Sequence, residues 1–287
     1  MSATVEIAAA TADAPPIVPR LIPAMLDRAA SEFPERTAID FLGRTWAYAD
    51  IADEVRRAAR GLQDLGVRPG MRVGLCLPNT PFYVIAYFAV LRIGAVVVAM
   101  NPLYVERELH HLLEDSGAEA VVTIDLKAIH DKLLAACEGT AVRHVVVAAL
   151  ADALPFAKSL GLRLLRRREL VRRLADPRHR RWSRVVRPGG APDPVAQSPD
   201  DLAVLQYTGG TTGEPKGAML SHANLTANSQ QMVMHVGHRP EVQERTLGVL
   251  PLFHVFALTT VLNYSVETAA EMILLPRFDM RQFLATL

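Results

Sequence analysis

One run of eleven residues can do chemistry: Tyr207-Thr208-Gly209-Gly210-Thr211-Thr212-Gly213-Glu214-Pro215-Lys216-Gly217. Its four glycines let a backbone turn tightly and approach a ligand without Cβ atoms in the way. Successive backbone N–H groups in such a loop form a concave anion site. Thr208, Thr211 and Thr212 add hydroxyl groups that suit phosphate oxygens, and Lys216 adds a flexible positive charge. Pro215 stiffens the exit. The run reads as a polyphosphate cradle. It is not a Walker A loop, because Lys216 is followed by Gly217 where that motif needs Ser or Thr. A Gly/Thr-rich surface turn is the bland alternative, and it has no need of so many hydroxyls beside a lysine.

The neighbouring residues must hold this cradle. An apolar run at 202–205 feeds into it, Ala218-Met219-Leu220 leads out, and Ser221 reads as a helix N-cap. The cradle is therefore expected between two strands, with a helix over 221–238. Upstream, residues 37–48 read as a hairpin. A helix follows with Ile51, Val55, Ala58, Leu62 and Leu65 on one face. Strands are then expected at 71–77, 96–100, 120–124 and from 145, with helices at 82–93, 105–116 and 128–137. Short apolar strands alternating with helices predict an α/β fold with a parallel sheet covered on both faces. Residues 81–100 are long enough to span a membrane and carry only Arg92, but Gly94 divides them, and a buried helix followed by a strand is the expectation. Beyond the cradle, strands at 245–252 and 271–275 and helices at 254–266 and from 279 complete the reading. The expected organisation is a flexible arm over 1–22, a first α/β subdomain over 23–150, a basic insertion over 151–199 and a second α/β subdomain over 200–287.

Composition narrows the function classes. The chain has 287 residues, half of them hydrophobic, and a net charge of +1, so nothing draws it globally to nucleic acid. Cys76 and Cys137 form no disulfide framework. Both read as buried small residues in a reducing, cytoplasmic setting. The first 19 residues hold no Lys or Arg, so no secretory signal is predicted. Between 158 and 187 twelve cations face only Glu169 and Asp176. Leucines are interleaved with them. Two readings stay open: a basic amphipathic surface lying on an anionic membrane, which would make the protein peripheral, or a solvated insertion with its leucines packed on the body. Nucleic acid is not expected there, since Trp182 is the one aromatic platform between 158 and 187.

The eleven-residue run, with its TGGTTG and PKG blocks, resembles the signature loop of the adenylate-forming enzymes. Leu205-Gln206-Tyr207 before it and Pro251-Leu252-Phe253-His254-Val255-Phe256-Ala257 after it are similar to the fatty-acid–CoA ligases of that superfamily. The resemblance begins near Pro23 and implies the N-terminal part of a layered αβαβα fold. It implies ATP, Mg2+ and coenzyme A as co-substrates and metal, and a fatty acid as substrate. Gly209, Gly210 and Gly213 would shape the loop, and Thr208, Thr211 and Thr212 would bind phosphate. Thr208 would also meet the magnesium ion, and Lys216 would neutralise the phosphates. Taken alone, His254 reads as a packed histidine at a strand-to-helix turn. The resemblance instead implies a place beside the adenylate and the acyl carboxylate, gating an acyl tunnel. Val255, Phe256, Leu258 and Leu262 read equally as acyl-pocket wall or core, and His222 and His235 read as structural. The family's adenine, ribose and C-terminal lysine motifs are not found after Lys216. The chain is accordingly expected to be an incomplete lobe with little ligase activity alone, or one awaiting a C-terminal half in trans. A ligase with a non-CoA acceptor and a non-catalytic nucleotide- or membrane-binding module are the competing functions.

Overall fold

The computed structural model describes residues 15–171, 173–186, 189–208 and 215–286. In chain order the elements are α1 (Ile22–Glu32), β1 (Thr37–Phe41), β2 (Arg44–Ala47), α2 (Tyr48–Asp64), β3 (Arg72–Cys76), α3 (Pro81–Arg92), β4 (Val96–Ala99), α4 (Glu106–Ser116), β5 (Ala120–Ile124), α5 (Lys127–Ala136) and β6 (His144–Ala148). Then come α6 (Phe156–Leu165), β7 (His179–Arg181), α7 (Trp182–Val185), β8 (Leu202–Thr208), β9 (Lys216–Ser221), α8 (His222–Val236), β10 (Arg245–Gly248), α9 (Val255–Ala257), α10 (Tyr264–Thr268), β11 (Glu271–Leu274) and α11 (Met280–Thr286).

The β-branched runs become strands of a seven-stranded sheet in the order β7-β6-β5-β3-β4-β8-β9. Every pair is parallel except β8–β9. Val97 and Val98 of β4 lie opposite Val204 and Leu205 of β8, so the strand that feeds the cradle is paired on both edges. The expected hairpin forms as β1 and β2, but its sheet partner is remote: β1 lies parallel to β11, and β10 follows in a four-stranded sheet β10-β11-β1-β2. Both sheets thus draw strands from both sides of residues 151–199.

The helices join the sheets. α2 packs against the β1–β2 hairpin and against α3, while α3 packs on β3 and β4. Residues 81–91 of α3 are buried all round, which explains an apolar run with no polar face. No helix among the described residues is long and apolar enough to cross a membrane. Tyr48 is fully buried and donates to the carbonyls of Ser265 (2.9 Å) and Ala270 (2.7 Å), tying the start of α2 to the second sheet. Cys76 and Cys137 are buried, and burial pushes both thiols up to about 12.

Two expectations need correction in detail. Residues 18–22, assigned to a loose arm, are fixed on α8. The Val18 N–H donates to Gln230 Oε1 at 2.9 Å, the Arg20 N–H to Thr226 Oγ1 at 3.2 Å and the Ile22 N–H to His222 Nδ1 at 3.2 Å. The helix expected at 254–266 is interrupted by a π-helical turn over 258–263.

The basic stretch divides in two. Its second half docks on the body: Trp182 and Val185 are buried, and Trp182 meets Phe82 edge to face at 5.7 Å. Gly61 makes that docking feasible, since a Cβ there would fall 1.9 Å from the Val185 carbonyl oxygen. The first half, α6, buries none of its residues.

Candidate functional site

The cradle is the connection of the β8–β9 hairpin. β8 buries Ala203, Val204, Gln206 and Tyr207, and its ladder with β9 closes on the pair Thr208 and Lys216. These two exposed residues bracket the loop. Gly209, Gly210, Thr211, Thr212 and Gly213 lie outside the described residues.

The base of the loop is built by contacts that the sequence reading missed. Tyr207 is buried, and its hydroxyl donates to Asp115 Oδ2 at 2.5 Å, so α4 braces β8 just before the loop. Burial, and then the bond to Asp115, hold the phenol protonated. The Tyr207 ring covers Gly217 in the facing strand. A Cβ on Gly217 would stand 3.1 Å from Tyr207 Cζ, a tight contact that the ring, tied to Asp115, would have to yield to by a few tenths of an ångström. Ser221 caps α8 as expected: its side chain accepts from the Asn224 N–H at 3.2 Å, and Asn224 Oδ1 accepts from the Ser221 N–H at 3.0 Å.

The Pro251-Leu252-Phe253-His254 segment is held against the same strand. Gln206, buried in β8 two residues before Thr208, donates its amide to the Phe253 carbonyl at 2.9 Å. Asn79, which follows β3, donates to the Gly248 and Leu250 carbonyls at 3.0 and 2.9 Å and accepts from the Leu252 N–H at 2.8 Å. The Tyr83 hydroxyl donates to the Leu252 carbonyl at 3.1 Å. Three buried polar side chains therefore fix the turn whose last residue is His254. His254 itself is exposed at the N-cap of α9, its ring 4.5 Å from that of Phe253. It is not the packed histidine that sequence chemistry alone favoured. The supposed acyl wall splits: Val255 and Phe256 are exposed, while Leu258 and Leu262 belong to the core.

Of the other two histidines of the reading, one is packed and one is not. His222 is buried, its Nδ1 accepts from the Ile22 N–H, and burial pushes it down to about 4. His235 is exposed at the end of α8. A cleft of about 900 Å3 lies elsewhere, between α2, β7 and α7, with Arg57, Arg60, His179, Arg181 and Arg184 in its walls.

Residues 26–287 match the family model for AMP-binding enzymes. The chain belongs to the AMP-binding enzyme family. It is 36% identical to the long-chain-fatty-acid–CoA ligase of Bacillus subtilis over 276 residues, which is 92% of this chain and 48% of the relative. The corresponding enzyme of Escherichia coli O6:H1 is 34% identical over 267 residues, covering 88% of this chain and 46% of that protein. Among solved structures, a long-chain-fatty-acid-CoA ligase (FadD1) from Archaeoglobus fulgidus superposes with a TM-score of 0.76 at 28% identity, over 95% of this chain and 50% of the other. The apo structure of Mycobacterium smegmatis MbtA gives 0.75 at 28% identity, over 94% and 46%. The chain spans about half the length of the curated relatives it matches. As an AMP-binding family member it carries the α/β N-terminal lobe of the adenylate-forming fold, as the loop motif implied.

Proposed function

We propose that this chain supplies the polyphosphate-binding part of an ATP-dependent fatty-acid–CoA ligase. The observation that supports it best is the suspension of two motif segments from one strand. β8 ends at Thr208, opposite Lys216, while Gln206 in the same strand carries the carbonyl just before His254. A loop for phosphates and a histidine for the reacting carboxylate are thereby held from one rigid element.

The chemistry follows from the charges. A fatty-acid carboxylate oxygen attacks the α-phosphorus of ATP. The new O–P bond forms as the bond to the pyrophosphate oxygen breaks, leaving acyl-AMP. Negative charge grows on the departing pyrophosphate, so backbone N–H donors of the signature motif and the Lys216 ammonium would lower that barrier. The coenzyme A sulfur, its thiol proton released to solvent, then attacks the acyl carbon. A C–S bond replaces the C–O bond, and AMP departs with the electron pair. Thr208 offers a neutral hydroxyl oxygen of the kind a hard Mg2+ accepts alongside substrate phosphates. When bound, that ion would neutralise phosphate charge. His254, exposed beside its rigid turn, orients the carboxylate.

The test is acid-dependent release of pyrophosphate from ATP by this chain, over short to long fatty acids, with and without coenzyme A. Alongside it, calorimetry measures ATP binding to wild type and Lys216→Ala. The reading expects saturable ATP binding that Lys216→Ala weakens. Absence of ATP binding to the folded wild-type chain would overturn it.

A further inference from the structure

Helix α6 inverts the usual arrangement of a surface helix. At about 100° per residue, Phe156, Leu160 and Leu164 fall within an arc of about 80°. On an ordinary amphipathic helix such an i, i+4, i+8 stripe faces the core. Here it faces outward: Phe156 is 85%, Leu160 47% and Leu164 64% exposed, and Leu165 at the end of the helix is 86% exposed. Contacts on the opposite side and on one flank hold the helix to the body. Leu162 packs on the core, Lys158 Nζ donates to the Leu42 carbonyl at 2.8 Å, and Arg163 pairs with Asp152 at 2.7 Å. The orientation is therefore set by specific contacts on the flanks, and the apolar stripe is presented rather than left over.

The charge of this stretch is predominantly positive, although Arg163 pairs with Asp152 and Arg166 lies 3.6 Å from Glu169. Residues 156–168 contain Lys158, Arg163, Arg166, Arg167 and Arg168 and no carboxylate. Arg166, Arg167 and Arg168 are exposed and continue directly from the stripe. An outward apolar ridge with a cationic end fits a surface that is apolar in depth and anionic at its rim. We propose that α6, and not the whole basic stretch, is a docking helix for the surface of an anionic bilayer, with the ridge among acyl chains and the arginines at the phosphates. A second copy of this chain is a poor occupant, because a two-fold contact would bring the exposed arginines at 166–168 of one copy toward those of the other. The helix is ten residues long, about 15 Å, so it lies on the bilayer and does not cross it. The inference concerns where the protein sits and holds whichever acid it activates.

The experiment is co-sedimentation of the full 287-residue chain with vesicles of phosphatidylcholine alone or with about one-third phosphatidylglycerol, at about 50 mM and about 500 mM salt. Binding is expected to the anionic vesicles at low salt and to fall sharply at high salt. Arg166→Gln/Arg167→Gln/Arg168→Gln should lower it on the order of 100-fold, at about fivefold per cation. Phe156→Ser/Leu160→Ser/Leu164→Ser should lower it more than about tenfold with charge unchanged. Arg180→Gln/Arg181→Gln/Arg184→Gln, which removes as many charges from β7 and α7, should leave it within about twofold. All these positions leave the core intact, and matching melting temperatures check that. No binding at low salt, equal binding to neutral vesicles, or equal weakening by the β7–α7 variant would each overturn the proposal. So would a concentration-dependent dimer abolished by the serine variant.

Discussion

Asn79 should be one of the costliest polar residues to remove. Its side chain is 3% exposed and makes three hydrogen bonds to the 248–252 segment. In Asn79→Ala the Gly248 carbonyl keeps a second donor, the Leu275 N–H at 3.1 Å. The Leu252 N–H, in a residue with no exposure, loses its partner altogether. One orphaned buried donor costs about 1–3 kcal/mol, and two further lost bonds add about 1 kcal/mol each, so the expected loss is about 3–5 kcal/mol. Asn79→Asp is the sharper probe. Its Oδ1 still accepts from Leu252, but the other oxygen faces two carbonyls and must hold a proton to bond either. The folded-state carboxyl is then raised above its unfolded value near about 4. A raised folded pKa means the folded protein binds the proton more tightly, so this variant should gain stability relative to wild type as pH falls. Urea titrations of all three proteins at several pH values measure both effects. A loss under about 1 kcal/mol for Asn79→Ala, or an aspartate variant whose deficit does not change with pH, would refute the account of this clamp.

Three further outcomes follow. His222 is pushed from 6.5 down to about 4 by burial. Its folded pKa lies below the unfolded one, so acid protonates the unfolded chain first, and stability is lost as pH falls from about 6.5 to about 4. The difference is worth about 3 kcal/mol at most, and His222→Gln should flatten that part of the profile in urea titrations. Gly217→Ala should destabilise by about 1–3 kcal/mol through the Tyr207 ring, and the penalty should shrink in a Tyr207→Phe background, where the ring is released from Asp115; a double-mutant cycle reads the coupling. Lys216→Ala, at an exposed position, should change stability by less than about 0.5 kcal/mol. The same change should weaken ATP binding about 10–100-fold, as expected for a charge-assisted phosphate contact, and calorimetry measures it.

The sequence made local features legible where local chemistry determines them. The β-branched runs at 96–98 and 121–122 became strands, Ser221 became a cap, and the apolar run after Pro81 became a wholly buried helix. The signature motif located the loop by its flanks, and the structure places Thr208 and Lys216 opposite one another at its mouth. Pairings between remote strands were not legible, because nothing in residues 37–41 names 272–274 as their partner. Nor were the clamps. Asn79 and Gln206 look like ordinary polar residues beside strands until their amides are seen to meet carbonyls 47 to 171 residues away. One signal was available, a glutamine within an otherwise apolar buried strand, since such a group is retained only when paired. The uniform composition of the basic stretch hid its division: Trp182 and Val185 anchor one part, while α6 turns Leu160, Leu164 and Leu165 outward.

The placement of β1 has a consequence for how the chain is made. Ile39 pairs with Met272, so the strand reaches its partner only after the residues up to Met272 have been made. At about 5–20 residues per second, the wait for those 233 further residues is roughly 10–50 s. During that time the β1–β2 hairpin carries an unpaired edge, the kind of surface that nascent chains use for wrong pairings. A hairpin alone is marginally stable, so its lodging on α2 is what shelters it in the interval. β8 faces no such delay, because β4 is already in place when it emerges. The large sheet can therefore gain β8 while the small sheet still waits for β10 and β11, so the two sheets mature in that order during synthesis.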